Sequence, residues 1–97
     1  MSTESVIVAN LYGPFYSITG KMKHSYSFDK NSITIEELIE KVLNENPKIR
    51  ELLFEDGELA ENSMIVINGE IVGGEGWQHT KIHPEDRISF FQGQHGG

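Results

Sequence analysis

Apolar and polar residues alternate at both ends of the chain, and between them the apolar positions recur every three to four residues. That change of period predicts strands, then a helix, then strands again. The run Val6 to Tyr12 is rich in β-branched and aromatic residues and is bounded by Gly13-Pro14, so it reads as a strand. With Asn10 facing solvent, Ile7, Ala9 and Leu11 point to the core, and Val8 and Tyr12 lie on the outer face. A turn region at Ser17 to Lys21 leads into a second strand, Lys23 to Asp29. Its His24, Tyr26 and Phe28 fall on one side, which predicts a hairpin with the first strand.

The helical stretch places Ile35, Leu38, Ile39, Val42 and Leu43 on one face and Glu36, Glu37, Glu40, Lys41 and Asn44 on the other. Thr34 and Glu37 have the spacing of a capping box, and Ile33 and Leu38 that of a hydrophobic staple. Asn46-Pro47 ends the helix, because proline cannot extend the hydrogen-bond ladder, yet proline suits the first turn of a new one. Pro47 to Phe54 therefore reads as a short second helix burying Ile49, Leu52 and Leu53 or Phe54.

Asp56-Gly57 is a turn, Glu58 to Ser63 an acidic loop, and Met64 to Asn68 a third strand. Asn68-Gly69 is a strong two-residue hairpin signal and predicts a short returning strand at Ile71-Val72. Ile65 and Ile67 are assigned to the core, Met64 and Val66 to the outer face. Gly73 to Gly76 opens an irregular loop through Trp77 to His83, and Pro84-Glu85-Asp86 turns the chain into a last strand, Arg87 to Phe91. There Ile88 and Phe90 face inward, with Ser89 and Phe91 outward. The helix face of Ile35, Leu38, Ile39 and Val42 is expected to pack on Ile7, Leu11, Phe28, Ile67, Ile88 and Phe90.

Composition narrows the function. At 97 residues there is room for one core, burying about 60 to 68% of the unfolded chain's surface. A net charge of −7 argues against nucleic acid as a partner and favours basic protein surfaces. The absence of cysteine excludes disulfides, thiolate metal sites and a cysteine nucleophile. No apolar run approaches the roughly 18 residues of a membrane span, and the start, Met1 to Ser5, is short and polar, so a cytoplasmic protein with no membrane contact is expected. His79, His83 and His95 have no carboxylate or cysteine pattern to complete a ligand set, so neither a metal nor another cofactor is expected. Gly73 to Gly76 lacks the ending of a phosphate loop, and no nucleophile elbow accompanies the serines. Nine acids between Glu36 and Glu61 face only Lys41, Lys48 and Arg50. They read as a solvated helical face ahead of an electrostatic docking patch.

The remaining feature is the tail Gln92-Gly93-Gln94-His95-Gly96-Gly97, placed directly after the last strand. Glycine has no Cβ, so Gly96 and Gly97 can pass through a slot closed to other residues and deliver a terminal carboxylate. Extended, the six residues from Gln92 to Gly97 span about 20 Å, enough to reach a buried centre in another protein. On the same alternation, Val8, Tyr12, Val66 and Phe91 share the sheet face turned away from the helix, close to the tail. They form a candidate partner-docking face.

The order of elements, with Leu11-Tyr12-Gly13-Pro14, Thr34-Ile35-Glu36-Glu37-Leu38, Val66-Ile67-Asn68-Gly69-Glu70 and Pro84-Glu85-Asp86-Arg87-Ile88-Ser89-Phe90 leading to His95-Gly96-Gly97, resembles the ubiquitin-like β-grasp proteins. Within them it is most similar to the MoaD/ThiS sulfur carriers and the ubiquitin-related modifiers. The Gly73 to His83 loop is longer than in the shortest sulfur carriers, and Gln92-Gly93-Gln94 lacks the prolines common before the tail of molybdopterin-synthase small subunits. The resemblance implies an α+β fold, a β-grasp domain over residues 1–91 with a mixed sheet wrapped around one main helix, followed by an exposed tail over 92–97. It also implies an E1-like (MoeB/ThiF-like) partner that uses ATP to adenylate Gly97. The adenylate then accepts sulfur to become a thiocarboxylate for a sulfur-accepting synthase, or passes through a thioester to target protein lysines. In both cases the chemistry belongs to the partner, and the protein is a carrier with no catalytic residue of its own. Three functions stay open, in this order: sulfur carrier in cofactor biosynthesis or tRNA thiolation, covalent modifier joined through Gly97, and noncovalent subunit.

Overall fold

The computed structural model describes residues 4–93. Strand β1 (Ser5–Leu11) is followed by helix α1 (Pro14–Thr19) and strand β2 (Lys23–Phe28). A two-residue strand β3 (Ile33–Thr34) leads into the main helix α2 (Ile35–Glu45), and α3 (Ile49–Leu53) follows. Then come β4 (Phe54–Glu55), β5 (Glu58–Leu59), β6 (Ser63–Ile67), β7 (Glu70–Ile71), a 3₁₀ turn at Trp77–His79, β8 (Lys81–Ile82) and β9 (Ile88–Gln92). Five strands form one sheet in the order β2-β1-β9-β6-β7. Its central pair, β1 and β9, is parallel, while β2, β6 and β7 join antiparallel to their neighbours. This is the expected α+β β-grasp: a mixed sheet wrapped around one helix.

The alternation in β1 is realised in full, with Ile7, Ala9 and Leu11 completely buried. They join Ile65, Ile88 and Phe90 of the sheet, and Ile35, Leu38, Ile39 and Val42 of α2, in one core. Ile67, assigned to that core from sequence, is only half-buried at its border, because it stands at the open end of β6 where the hairpin turns away. Helix α2 starts where the capping box places it. The Glu37 N–H donates to Thr34 Oγ1 (3.3 Å), and the Thr34 N–H donates back to Glu37 Oε1 (3.0 Å). Lys30 forms an ion pair with the other Glu37 oxygen.

Several local expectations are corrected. The Ser17 to Lys21 turn is instead the end of α1, which begins at Pro14 and buries Phe15 edge-on against Phe90. Pro14 marks the first turn of this helix as much as the end of β1. Gly13 precedes it at φ 60°, ψ −131°, a conformation costly to any residue with a Cβ. The short second helix covers Ile49–Leu53, and Phe54 already belongs to β4. The acidic loop is a small hairpin, with β4 and β5 paired around Asp56-Gly57, both at positive φ. The returning strand is Glu70–Ile71, one residue earlier than expected. Within the Gly73 to His83 loop, β8 pairs with β3, so that Ile82 is buried beside Ile33. Trp77 leans on the core, as a loop anchor should. Among the described residues no helix is long and apolar enough to cross a membrane.

Candidate functional site

The sheet topology directs attention to the end of β9. This strand is central, held by β1 on one side and β6 on the other, so its last residues leave the body from a supported position. Because β6 runs antiparallel to β9, the residues flanking β6 meet both ends of β9. At the start of β9, the Arg87 N–H donates to Asn68 Oδ1 (2.9 Å) and Asn68 Nδ2 donates to Asp86 Oδ1 (2.9 Å). The His83 N–H donates to the other Asp86 oxygen (2.7 Å). Burial pushes the Asp86 carboxyl up, but the hydrogen bonds from Asn68 and His83, with the His83 charge, outweigh it and hold the carboxyl below its ordinary value.

The far end of β9 is bound with equal care. Gln92 Nε2 donates to the Leu52 carbonyl (2.8 Å) and to Ser63 Oγ (3.3 Å), while Ser63 Oγ donates to the same carbonyl (2.9 Å). The Leu52 carbonyl lies at the C-terminal end of α3, where carbonyls lack helical partners, so these two side chains satisfy it. One residue further, the Gly93 N–H donates to the Asn62 carbonyl (2.8 Å), and Asn62 Nδ2 donates to the Gly93 carbonyl (3.1 Å). Ordered structure thus continues past the sequence-based boundary at residue 91. The tail residues His95, Gly96 and Gly97, singled out from sequence, lie outside the described residues.

Beside this exit the outer sheet face carries an apolar stripe. Tyr12 and Phe91 stack with ring centroids 4.7 Å apart, and Met64 stands directly opposite Phe91 across the β6–β9 ladder. Val66 lies one step along the same face, opposite Ser89, and the exposed Ile71 is its cross-strand partner. Val8 shares the face but sits beyond the polar row of Asn10 and Ser89, apart from the others. Of the four residues named from sequence, Tyr12, Val66 and Phe91 come together and Val8 stands off. Met64 and Ile71 complete the stripe. The alternation had already turned Met64 outward, but only the register shows that it faces Phe91.

The fold and the strand that feeds a diglycine end define a ubiquitin-like β-grasp protein of the group that includes sulfur carriers and ubiquitin-related modifiers. The chain matches the model of the ThiS family over residues 10–97 and belongs to that family. No curated protein sequence matches it significantly. Among solved structures it is similar to SAMP1 from Haloferax volcanii, with a TM-score of 0.79 at 17% identity, covering 95% of this chain and 99% of that one. It is also similar to a chain of the BexX/CysO complex of Amycolatopsis orientalis, with a TM-score of 0.71 at 20% identity over 94% and 99% of the two chains. Urm1 from Trypanosoma brucei follows with a TM-score of 0.68 at 17% identity over the full length of both.

Proposed function

We propose that this protein is a sulfur carrier whose Gly97 carboxylate is adenylated by an E1-like enzyme and converted to a thiocarboxylate, which donates sulfur in cofactor biosynthesis or tRNA thiolation. The observation that carries the reading is that the ThiS-family match runs through Gly97, five residues beyond a central strand whose end is tied to the body. A carboxylate repels nucleophiles and has no good leaving group, so activation must come first. A Gly97 oxygen attacks the α-phosphorus of ATP and pyrophosphate leaves. A sulfur nucleophile at the oxidation level of sulfide then attacks the acyl carbon, and AMP leaves with the old C–O bond electrons. The charge that develops on phosphate calls for cationic groups, and these are the enzyme's to supply. The protein is therefore substrate and carrier, not catalyst, and its dependence on ATP fits a cytoplasmic setting.

The stripe of Tyr12, Phe91 and Val66, with Met64 beside them and Val8 at its margin, is the surface this reading assigns to the activating enzyme. A short tail gains effective concentration at an active site only when the body is held nearby. That the structurally similar CysO chain is found in a complex with BexX supports a carrier that works while docked on another protein.

The test is incubation with the cognate MoeB/ThiF-like enzyme, ATP and sulfide, followed by intact and peptide mass spectrometry. The expected product carries one sulfur in place of one oxygen, located in the peptide ending at Gly97. Stable adducts on partner lysines and no thiocarboxylate would instead identify a protein modifier. Neither product would leave a noncovalent subunit.

A further inference from the structure

We infer that Asn62 is a positioning residue that sets how far, and in which direction, the tail leaves the folded body. The inference rests on the reading of Gly97 as the reacting group. Asn62 grips Gly93 twice, its main-chain carbonyl taking the Gly93 N–H (2.8 Å) and its Nδ2 donating to the Gly93 carbonyl (3.1 Å). The regular β6–β9 register ends one pair earlier, at Ser63 and Gln92. A side-chain amide therefore stands in for the next rung of the ladder and carries the hold one residue beyond the sheet.

The hold matters because of what it restrains. A Cβ on Gly93 would meet only the Asn62 carbonyl oxygen, at 3.9 Å, which is ordinary contact, so crowding does not fix the backbone there. Left to itself a glycine is the freest hinge a chain can have. With Gly93 gripped, only residues 94–97 remain to span the distance to a reaction centre, about 14 Å when extended. With the grip released and Gln92 as the next anchor, the reach lengthens by about 3.5 Å and a glycine hinge is added. A displacement of about 1 Å at a reacting centre can cost on the order of a hundredfold in rate. Asn62 thus trades reach for direction, and its effect falls on the chemical step and not on docking.

The experiment measures Gly97 adenylation, as carrier-dependent release of pyrophosphate from ATP by the cognate E1-like enzyme, over a full range of carrier concentration. Asn62→Ala removes the side-chain arm, and Asn62→Asp keeps its shape but removes the donor. Both should lower kcat by about tenfold or more with little change in KM. Mere loss of folded protein would raise the apparent KM and leave kcat alone. Deleting Gln94 from the native chain shortens the reach by about 3.5 Å and should suppress the reaction. In the Asn62→Ala background the Gly93 N–H keeps the main-chain carbonyl of residue 62, but the Gly93 carbonyl is no longer held, so the tail can pivot there to recover part of that reach and the same deletion should do less harm. Unchanged kcat in both Asn62 variants, or a deletion equally damaging in either background, would overturn the inference while leaving the activation of Gly97 intact. A native chain that is not adenylated, yet whose Gly93 amide exchanges slowly and does so faster in Asn62→Ala, where the second bond is gone, would locate the failure in the reading of Gly97 instead.

Discussion

Tyr12 and Phe91 lie face to face on the outer side of the sheet, their ring planes within 4° of parallel and their centroids 4.7 Å apart. The contact joins the residue that follows β1 to the penultimate residue of β9, the two central parallel strands, with Met64 opposite Phe91 on the other side. Aromatic pairs of this kind contribute about 0.5–1.5 kcal/mol beyond their area. The same rings stand beside the exit of the tail, so they link the stability of the sheet to the proposed docking of the activating enzyme.

Phe91→Asp should therefore lose a modest part of its stability and still melt cooperatively, because Phe91 is half-buried and outside the core. Adenylation of Gly97 at limiting enzyme should fall sharply through a higher KM, in contrast to the kcat effect expected at Asn62. Unchanged activation kinetics from a folded Phe91→Asp would mean that the enzyme holds this protein by some other surface.

Helix α2 offers a test of what supports the fold. Thr34→Ala removes the side chain that accepts the Glu37 N–H, and should cost about 1 kcal/mol. Leu38→Ala opens a cavity in a fully buried position and should cost about 2–5 kcal/mol. Urea melts of both variants check the ranking. Two neutral results would mean that the face of α2 is not the one the core is built on.

The core and the main helix were legible in sequence because each depends on a local periodic signal. Ile7, Ala9 and Leu11 follow the period of a strand, and Ile35, Leu38, Ile39 and Val42 that of a helix, with Thr34 and Glu37 marking the start. What was not legible depends on contacts distant in sequence. Lys81-Ile82 is too short to announce a strand and becomes one only by pairing with Ile33-Thr34. Helix α1 has fewer than two turns, and its apolar Phe15 and Ile18 gain meaning only when Phe90 and the rest of the core arrive. Among the candidate site residues the outward turn of Phe91 was visible from alternation. Its register with Met64 and the grip of Asn62 on Gly93 required the order of strands.

The capping box also predicts a response to acid. Glu37 is held below its ordinary value of 4.5, first by the Lys30 hydrogen bond and then by the Thr34 N–H, with burial opposing. A carboxyl lowered on folding contributes stability that is present above its unfolded value and is lost as pH falls through the folded one. Asp86, lowered on balance by its bonds to Asn68 and His83 against the pull of burial, acts in the same direction. The stability gap between the native chain and Glu37→Gln should therefore be widest at neutral pH and close as the pH falls below the ordinary value of 4.5. Urea midpoints of the two proteins across that range make the comparison. A gap that stays constant with pH would show that the Glu37 charge has no part in the cap.

Tyr26 makes the complementary case on the alkaline side. Its side chain is almost wholly buried, stacked near His24, and its hydroxyl has no hydrogen-bond partner among the described residues. Burial, assisted by the Glu45 charge, pushes the phenol up from 10.0 to about 12. An acid whose pKa rises on folding stays protonated in the native state after the unfolded chain has begun to ionise. The titration therefore leaves the native chain's stability untouched below pH 10 and lowers it as the pH climbs from 10 toward 12. Tyr26→Phe keeps the ring, removes the unpartnered hydroxyl and abolishes this titration. At neutral pH the variant should equal the native chain or exceed it by about 1 kcal/mol, since a buried polar group without a partner is a cost. Above pH 10 its advantage should widen, because the ordinary ionisation of the unfolded phenol at 10.0 no longer draws the chain open. Thermal or urea melts at neutral and alkaline pH measure both. A Tyr26→Phe protein that is clearly weaker at neutral pH would mean that the hydroxyl makes a bond the folded protein depends on.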